Sequence, residues 1–141
     1  MKWIFIIWVI AGSLISCRKG GCGPGMGPTV QGTYIGTFVR LRETMPPVLT
    51  QSHVKISFTK NEFSGSSDSS NYPAICNGTF TVTDMPDSIH FVNQCVFPAD
   101  FDWTYILTGS YKMVQTSDSL YIRRIIGDFA YEEDVYSLRK Q

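Results

Sequence analysis

The chain has 141 residues, with 12 basic against 12 acidic side chains and 43% apolar residues. That is enough for one domain with a core of its own, and the balanced charge excludes the basic surface that nucleic-acid or polyanion binding demands. Electrostatics names no partner.

Lys2 precedes an apolar run from Trp3 to Ala11, and Gly12-Ser13-Leu14-Ile15-Ser16-Cys17 follows. A charged start, a short greasy stretch and small residues before a cleavage point make an export signal, too short to span a bilayer as a mature helix. Residues 1–16 are therefore a predicted signal peptide and do not count toward the fold. Leu14-Ile15-Ser16-Cys17 resembles the bacterial lipobox. The resemblance implies that Cys17 becomes the first mature residue and carries a diacylglycerol on its thiol, an attachment to the envelope membrane. Arg18 in place of an aspartate after the cysteine favours the outer membrane in such proteins. From Arg18 to Pro28 the chain is rich in glycine and proline and has little to bury, so residues 17–30 are expected to be a tether. Its glycines make no phosphate loop, because no strand precedes them and neither GxxxxGKS/T nor GxGxxG is present.

Beyond Cys17, Val, Ile, Thr, Phe, Tyr and Trp number 45 while Ala and Leu number 8, which argues for strands rather than helices. Apolar residues alternate with period two in eight segments: 32–41, 52–59, 61–65, 74–83, 88–96, 103–114, 119–126 and 131–139. Opposed residues of a hairpin share a face, so pairing follows from the pattern. The fourth and fifth segments pair Cys76 with Cys95, Gly78 with Asn93 and Phe80 with Phe91. The sixth and seventh pair Met113 with Leu120, Tyr111 with Ile122 and Gly109 with Arg124. The last two pair Leu120 with Leu138, Ile122 with Tyr136 and Arg124 with Asp134. These pairings agree on one apolar face, and closing an antiparallel meander of about eight strands into an up-and-down barrel removes its edges. An all-β barrel over residues 31–141 is the expectation, with a β-sandwich as the alternative.

Gly32-Thr33-Tyr34-Ile35-Gly36-Thr37-Phe38, Ile106-Leu107-Thr108-Gly109-Ser110-Tyr111, Asp118 to Arg124 and Asp134 to Arg139 resemble segments of small bacterial lipocalin-like lipoproteins. The resemblance covers most of residues 31–139 and implies a barrel able to hold one small molecule.

Export makes a disulfide between the in-register Cys76 and Cys95 reasonable, leaving Cys22 on the tether without an assigned role. His53 and His90 alternate away from the inner face with no HxH or HxxxH partner, so no metal site is expected. The serines from Ser64 to Ser70 lack a GxSxG setting, and Glu132-Glu133-Asp134 near Asp128 lack an EF-hand pattern. No nucleophile, base and orienting group occur together, so neither enzyme chemistry nor a cofactor is expected. Asn77-Gly78-Thr79, Asp87-Ser88-Ile89 and Asp118-Ser119-Leu120 resemble glycosylation sites, though turns leading into strands use the same residues.

Arg124 is placed on the inner face beside Asp134. Structurally it would fix closure of the barrel through a carboxylate. Functionally, with Arg40 and Asn93 beside Tyr34, Phe38, Tyr111 and Tyr136, it would anchor a small hydrophobic or amphipathic ligand in an aromatic cavity. A second functional reading is a filled barrel acting on an envelope protein, for instance as an inhibitor, through Phe97, Phe101 and Trp103 in the run from Val96 to Trp103.

Overall fold

A computed structural model describes residues 29–44, 46–84, 87–127 and 131–141. The signal, Cys17, Cys22 and most of the tether lie outside the described residues. Eight strands run in chain order: β1 Gly32–Arg42, β2 Val48–Thr59, β3 Glu62–Ser67, β4 Cys76–Asp84, β5 Asp87–Asn93, β6 Gly109–Gln115, β7 Ser119–Ile126 and β8 Glu132–Lys140. Each pairs antiparallel with the next, and β8 pairs with β1, so the sheet closes into an eight-stranded barrel rather than a sandwich. Closure leaves no free edge, as the meander required. Among the described residues no helix is long and apolar enough to cross a membrane.

The alternation read from the sequence fills the barrel. Tyr34, Phe38, Phe58, Phe63, Phe80, Phe91, Tyr111, Ile122 and Tyr136 are all buried within one cluster. Their rings meet one another across the interior. Phe58 lies 5.1 Å from Phe80, Phe63 lies 5.1 Å from Phe91, Phe91 lies 5.7 Å from Tyr111, Tyr111 lies 6.0 Å from Tyr136, and Tyr136 lies 4.9 Å from Phe38. All but the tilted Tyr136–Phe38 pair meet edge to face, and such contacts add about 0.5–1.5 kcal/mol each beyond the area they bury. Val30, assigned by its sequence to the tether, packs into the same cluster at 1% exposure.

Two pairings hold as the sequence indicated. β4 meets β5 with Gly78 opposite Asn93 and Phe80 opposite Phe91, and β7 meets β8 with Ile122 opposite Tyr136 and Arg124 opposite Asp134. The β6–β7 hairpin is shifted by two residues: Met113 faces Ile122 rather than Leu120, and Gln115 faces Leu120. The shift preserves which side chains point inward. Its cause is turn chemistry, because the Thr116 hydroxyl lies 2.5 Å from that of Ser119 and donates to Asp118, while the Thr116 amide bonds the Ser119 carbonyl. The tight turn therefore centres on Ser117-Asp118. Gly109 lies beyond the β6–β7 pairing, so it does not face Arg124, and its partner on the other edge of β6 is Phe91.

The Cys76–Cys95 disulfide is present, with Cα atoms 6.4 Å apart, but it does not face the interior as the pairing implied. Cys76 is exposed and takes a left-handed conformation at φ 49°, which reverses the alternation so that Ile75 turns inward instead. The segment 103–114 is also not one strand. Trp103–Tyr105 forms a 3-10 turn capped by Asp102, and β6 begins only at Gly109, whose φ of 83° suits glycine.

Candidate functional site

The barrel has two unlike ends. Where β1 begins, the turns at Lys60-Asn61, between β4 and β5, and at Ser117-Asp118 are short, and both the entering chain at Val30 and the final Gln141 lie there, the latter bonded to the Thr33 carbonyl. Where β1 ends, the connections 68–75 and 94–108 are long, and the 94–108 connection carries Phe97, Phe101 and Trp103. Long connections over a rigid scaffold are where binding surfaces are usually built.

A charged cluster lies under that second end. Arg40, projecting inward near the end of β1, is 0% exposed, and Asp134 from β8 is 1% exposed. Arg40 Nε donates to Asp134 Oδ1 at 2.6 Å and Nη2 donates to Oδ2 at 2.9 Å, a bidentate pair, while Arg124 Nη2 donates to the same Oδ2 at 2.9 Å. The Arg40 guanidinium lies 3.8 Å from the Tyr105 ring centre and that of Arg124 lies 4.7 Å from Tyr111. Burial works against the Arg40 charge, but the hydrogen bonds to Asp134 and its negative charge outweigh it and hold the guanidinium protonated. Burial pushes the hydroxyls of Tyr111 and Tyr136 well above the usual phenol range, so both stay neutral beside the cluster. The sequence favoured Arg124 as the interior arginine. Arg40 is the more deeply enclosed, since Arg124 keeps 19% of its side chain in solvent.

Further donors of both arginines reach one residue of the 94–108 connection. The Thr104 carbonyl accepts from Arg40 Nη2 at 2.7 Å and from Arg124 Nη2 at 3.0 Å, and the Thr104 hydroxyl accepts from Arg40 Nη1 at 2.7 Å. Arg124 Nη1 donates to the Thr108 carbonyl at 2.7 Å. Asp102 accepts from the Thr104 hydroxyl and amide, and these bonds, with burial opposing and the Arg40 and Arg42 charges assisting, hold its carboxyl below the usual range. The cluster thus grips the 3-10 turn from beneath.

The same connection is fastened along its length. The Cys76–Cys95 bridge ties its start to β4, and Asn93 Nδ2 donates to the Ile75 carbonyl at 2.8 Å while its Oδ1 accepts from the Cys95 amide. Ala74 bonds the Tyr105 carbonyl and receives a bond from the Leu107 amide. On this frame Phe97 stacks 5.1 Å from Phe101 and 6.4 Å from Trp103, and Trp103 is 58% exposed. An exposed aromatic group on a connection fixed at both ends loses little entropy when a partner covers it.

The sequence-predicted residues therefore divide. Arg40 and Arg124 come together on Asp134 and Thr104 at the second end, while Asn93 at that end bonds the Ile75 carbonyl and the Cys95 amide instead. Tyr34, Phe38, Tyr111 and Tyr136 line the interior and touch other rings. Phe97 and Phe101, both half-buried, pack with the exposed Trp103 in one cluster. Thr104 and Asp102 were missed, although Asp-x-Thr is a capping pattern that marks a turn start. Glu132 and Glu133 pair with Arg42 and Arg123 across the same rim. His53 and His90 are exposed, bonded to Asp68 and Ser110, and no cluster able to hold a metal is found among the described residues. No protein-family model matches the chain, and no curated protein and no solved structure shows significant similarity to it.

Proposed function

We propose that the chain is a lipid-anchored envelope protein whose filled barrel serves as a rigid stand for the aromatic connection 94–108, and that this connection docks on a protein partner. The observation that carries the reading is the use of Arg40 and Arg124. Their donors hold Thr104 and Asp134, and the interior rings pack on each other, so the arginines position the exposed Trp103 and the half-buried Phe97 and Phe101 that pack with it. Aromatic residues on a preorganised loop are the usual centre of a protein interface. The anchor fits this polarity. Val30 enters the barrel at the end of the short turns, so a tether running from a lipidated Cys17 would meet that end and leave the aromatic connection at the other.

The test is capture of a partner from envelope fractions by the wild-type chain, followed by titration of the purified partner against Phe101→Ser and Trp103→Ala. Loss of binding with an unchanged unfolding midpoint supports the reading, and equal binding by both variants defeats it. Cys17→Ser tests the anchor, since it should release the protein to the soluble fraction, and continued membrane retention would remove the lipoprotein assignment.

A small amphipathic molecule held inside the barrel is the second reading. It is favoured by Ser52 Oγ and Arg124 Nε, which are buried without a hydrogen-bond partner. Native mass spectrometry of wild type and Arg124→Ala separates the two, because only an interior ligand would appear as added mass that the substitution reduces.

A further inference from the structure

The outer wall of the barrel carries a second feature, independent of the aromatic connection. A hollow of about 890 Å³ crosses the outside of β7, β8, β1, β2 and β3 at right angles to the strands. Its floor follows the pairing line through Gly36, with Val54 on one side and Leu138 and then Leu120 on the other. A Cβ on Gly36 would collide with the Ser137 carbonyl oxygen, so the close approach of β1 and β8 at this point demands glycine. Four strand spacings of about 4.8 Å give a length of about 19 Å. One leaflet of a bilayer core about 30 Å thick holds an acyl chain about 15 Å long, so one extended chain and its head group fit this run.

The chemistry of the walls selects among occupants. On one side Lys55, Ile35 and Arg139 stand directly opposite one another across three strands, with Ile35 43% exposed. On the other stands Tyr121, 38% exposed, and the hollow is lined mostly by carbon. Neither Lys55 nor Arg139 has an ion-pair partner among the described residues. The carboxylate in the lining, that of Asp68, lies 3.0 Å from the His53 ring and accepts from the His53 amide. An apolar trough edged by two unpaired cations, its acid already bonded, is complementary to a chain that is greasy along its length and negative at one end.

We propose that this outer trough binds a single-chain amphiphile with an anionic head, its acyl chain lying against Ile35, Gly36 and Tyr121 and its head group held by Lys55 or Arg139. A free fatty acid and a lysophospholipid share that chemistry.

The test uses the full chain carrying Cys17→Ser, so that no covalent acyl group competes, and follows the fluorescence of cis-parinarate on binding. Saturable binding is expected, weakened about tenfold or more by Ile35→Asp and likewise by Lys55→Glu with Arg139→Glu, and unchanged by Phe101→Ser. These positions are on the outer wall, and unfolding midpoints establish that the variants fold. Displacement by oleate assigns a carboxylate head and displacement by lysophosphatidylglycerol a phosphate head. Failure of both to displace the probe, equal binding of methyl cis-parinarate, or wild-type affinity in the wall variants would overturn the proposal. Because Phe101→Ser leaves the trough intact, failure here is distinct from failure of the docking reading.

Discussion

Replacing Asp134 by alanine removes the carboxylate on which Arg40 and Arg124 converge. Arg40 is fully enclosed and makes two charge-assisted bonds to that group, at 2.6 and 2.9 Å. Removing one member of such a pair strands the other charge, which costs about 3–5 kcal/mol. Arg124 keeps 19% exposure and turns to water, adding little. Arg40 retains its bonds to Thr104, so the middle of the range, about 4 kcal/mol, is the expectation. With a urea slope of about 1.5 kcal/mol/M for a domain of this size, the midpoint should fall by roughly 2.5 M. Urea titration followed by tryptophan fluorescence measures it, and Trp103 lies on the connection the cluster holds. Replacing both partners, Arg40→Met with Asp134→Leu, should recover most of the loss, because no buried charge is then left alone. A midpoint shift under about 0.5 M for Asp134→Ala, the size expected of a surface pair, or a double variant less stable than the single one, would refute the argument.

Other expectations follow from the same geometry. Cys76→Ala should lower stability by about 3 kcal/mol, the entropy of a loop of this length, and reduction of the wild type should give the same shift in a thermal melt. Gly36→Ala should destabilise by more than about 2 kcal/mol or prevent accumulation of folded protein, since its methyl group meets backbone rather than a movable side chain, and circular dichroism would show it. Trp103→Ala should leave stability within about 0.5 kcal/mol while abolishing partner binding, which calorimetry on both quantities can check. Tyr111 and Tyr136 are raised in the fold, so they bind protons more tightly there than in the unfolded chain. Their contribution is complete below the unfolded value of about 10 and is lost as pH rises above it, at up to about 1.4 kcal/mol per pH unit for each group. Urea midpoints at pH 9 and pH 11 should therefore diverge, and less so in Tyr111→Phe with Tyr136→Phe.

Strand faces were legible because alternation is a local property repeated eight times. Phe80 facing Phe91 and Ile122 facing Tyr136 follow from spacing alone. The β6–β7 register escaped that reasoning because a shift of two residues leaves every side chain on its predicted face, and only the hydroxyl bonds of Thr116 decide between the two alignments. Cys76 escaped it because a single left-handed residue at the end of a ladder reverses the alternation. The arginine cluster was half legible. Arg124 opposite Asp134 followed from register, but the position that receives both arginines, the Thr104 carbonyl, is a backbone group whose place depends on a 3-10 turn. Such a group leaves no periodic trace. The outer trough left none either, since it arises where glycine lets two backbones close together on a wall whose side chains read as ordinary outward residues.

Site-specific photocrosslinking tests the central claim most directly. With benzoylphenylalanine placed in turn at Trp103 and at Asn61, the exposed turn at the opposite end, crosslinks to one envelope protein are expected from position 103 alone, and they should disappear when Asp134→Ala frees the connection. Equal crosslinking from both ends, or crosslinking at 103 that is indifferent to Asp134→Ala, would contradict a barrel built to hold that connection in place.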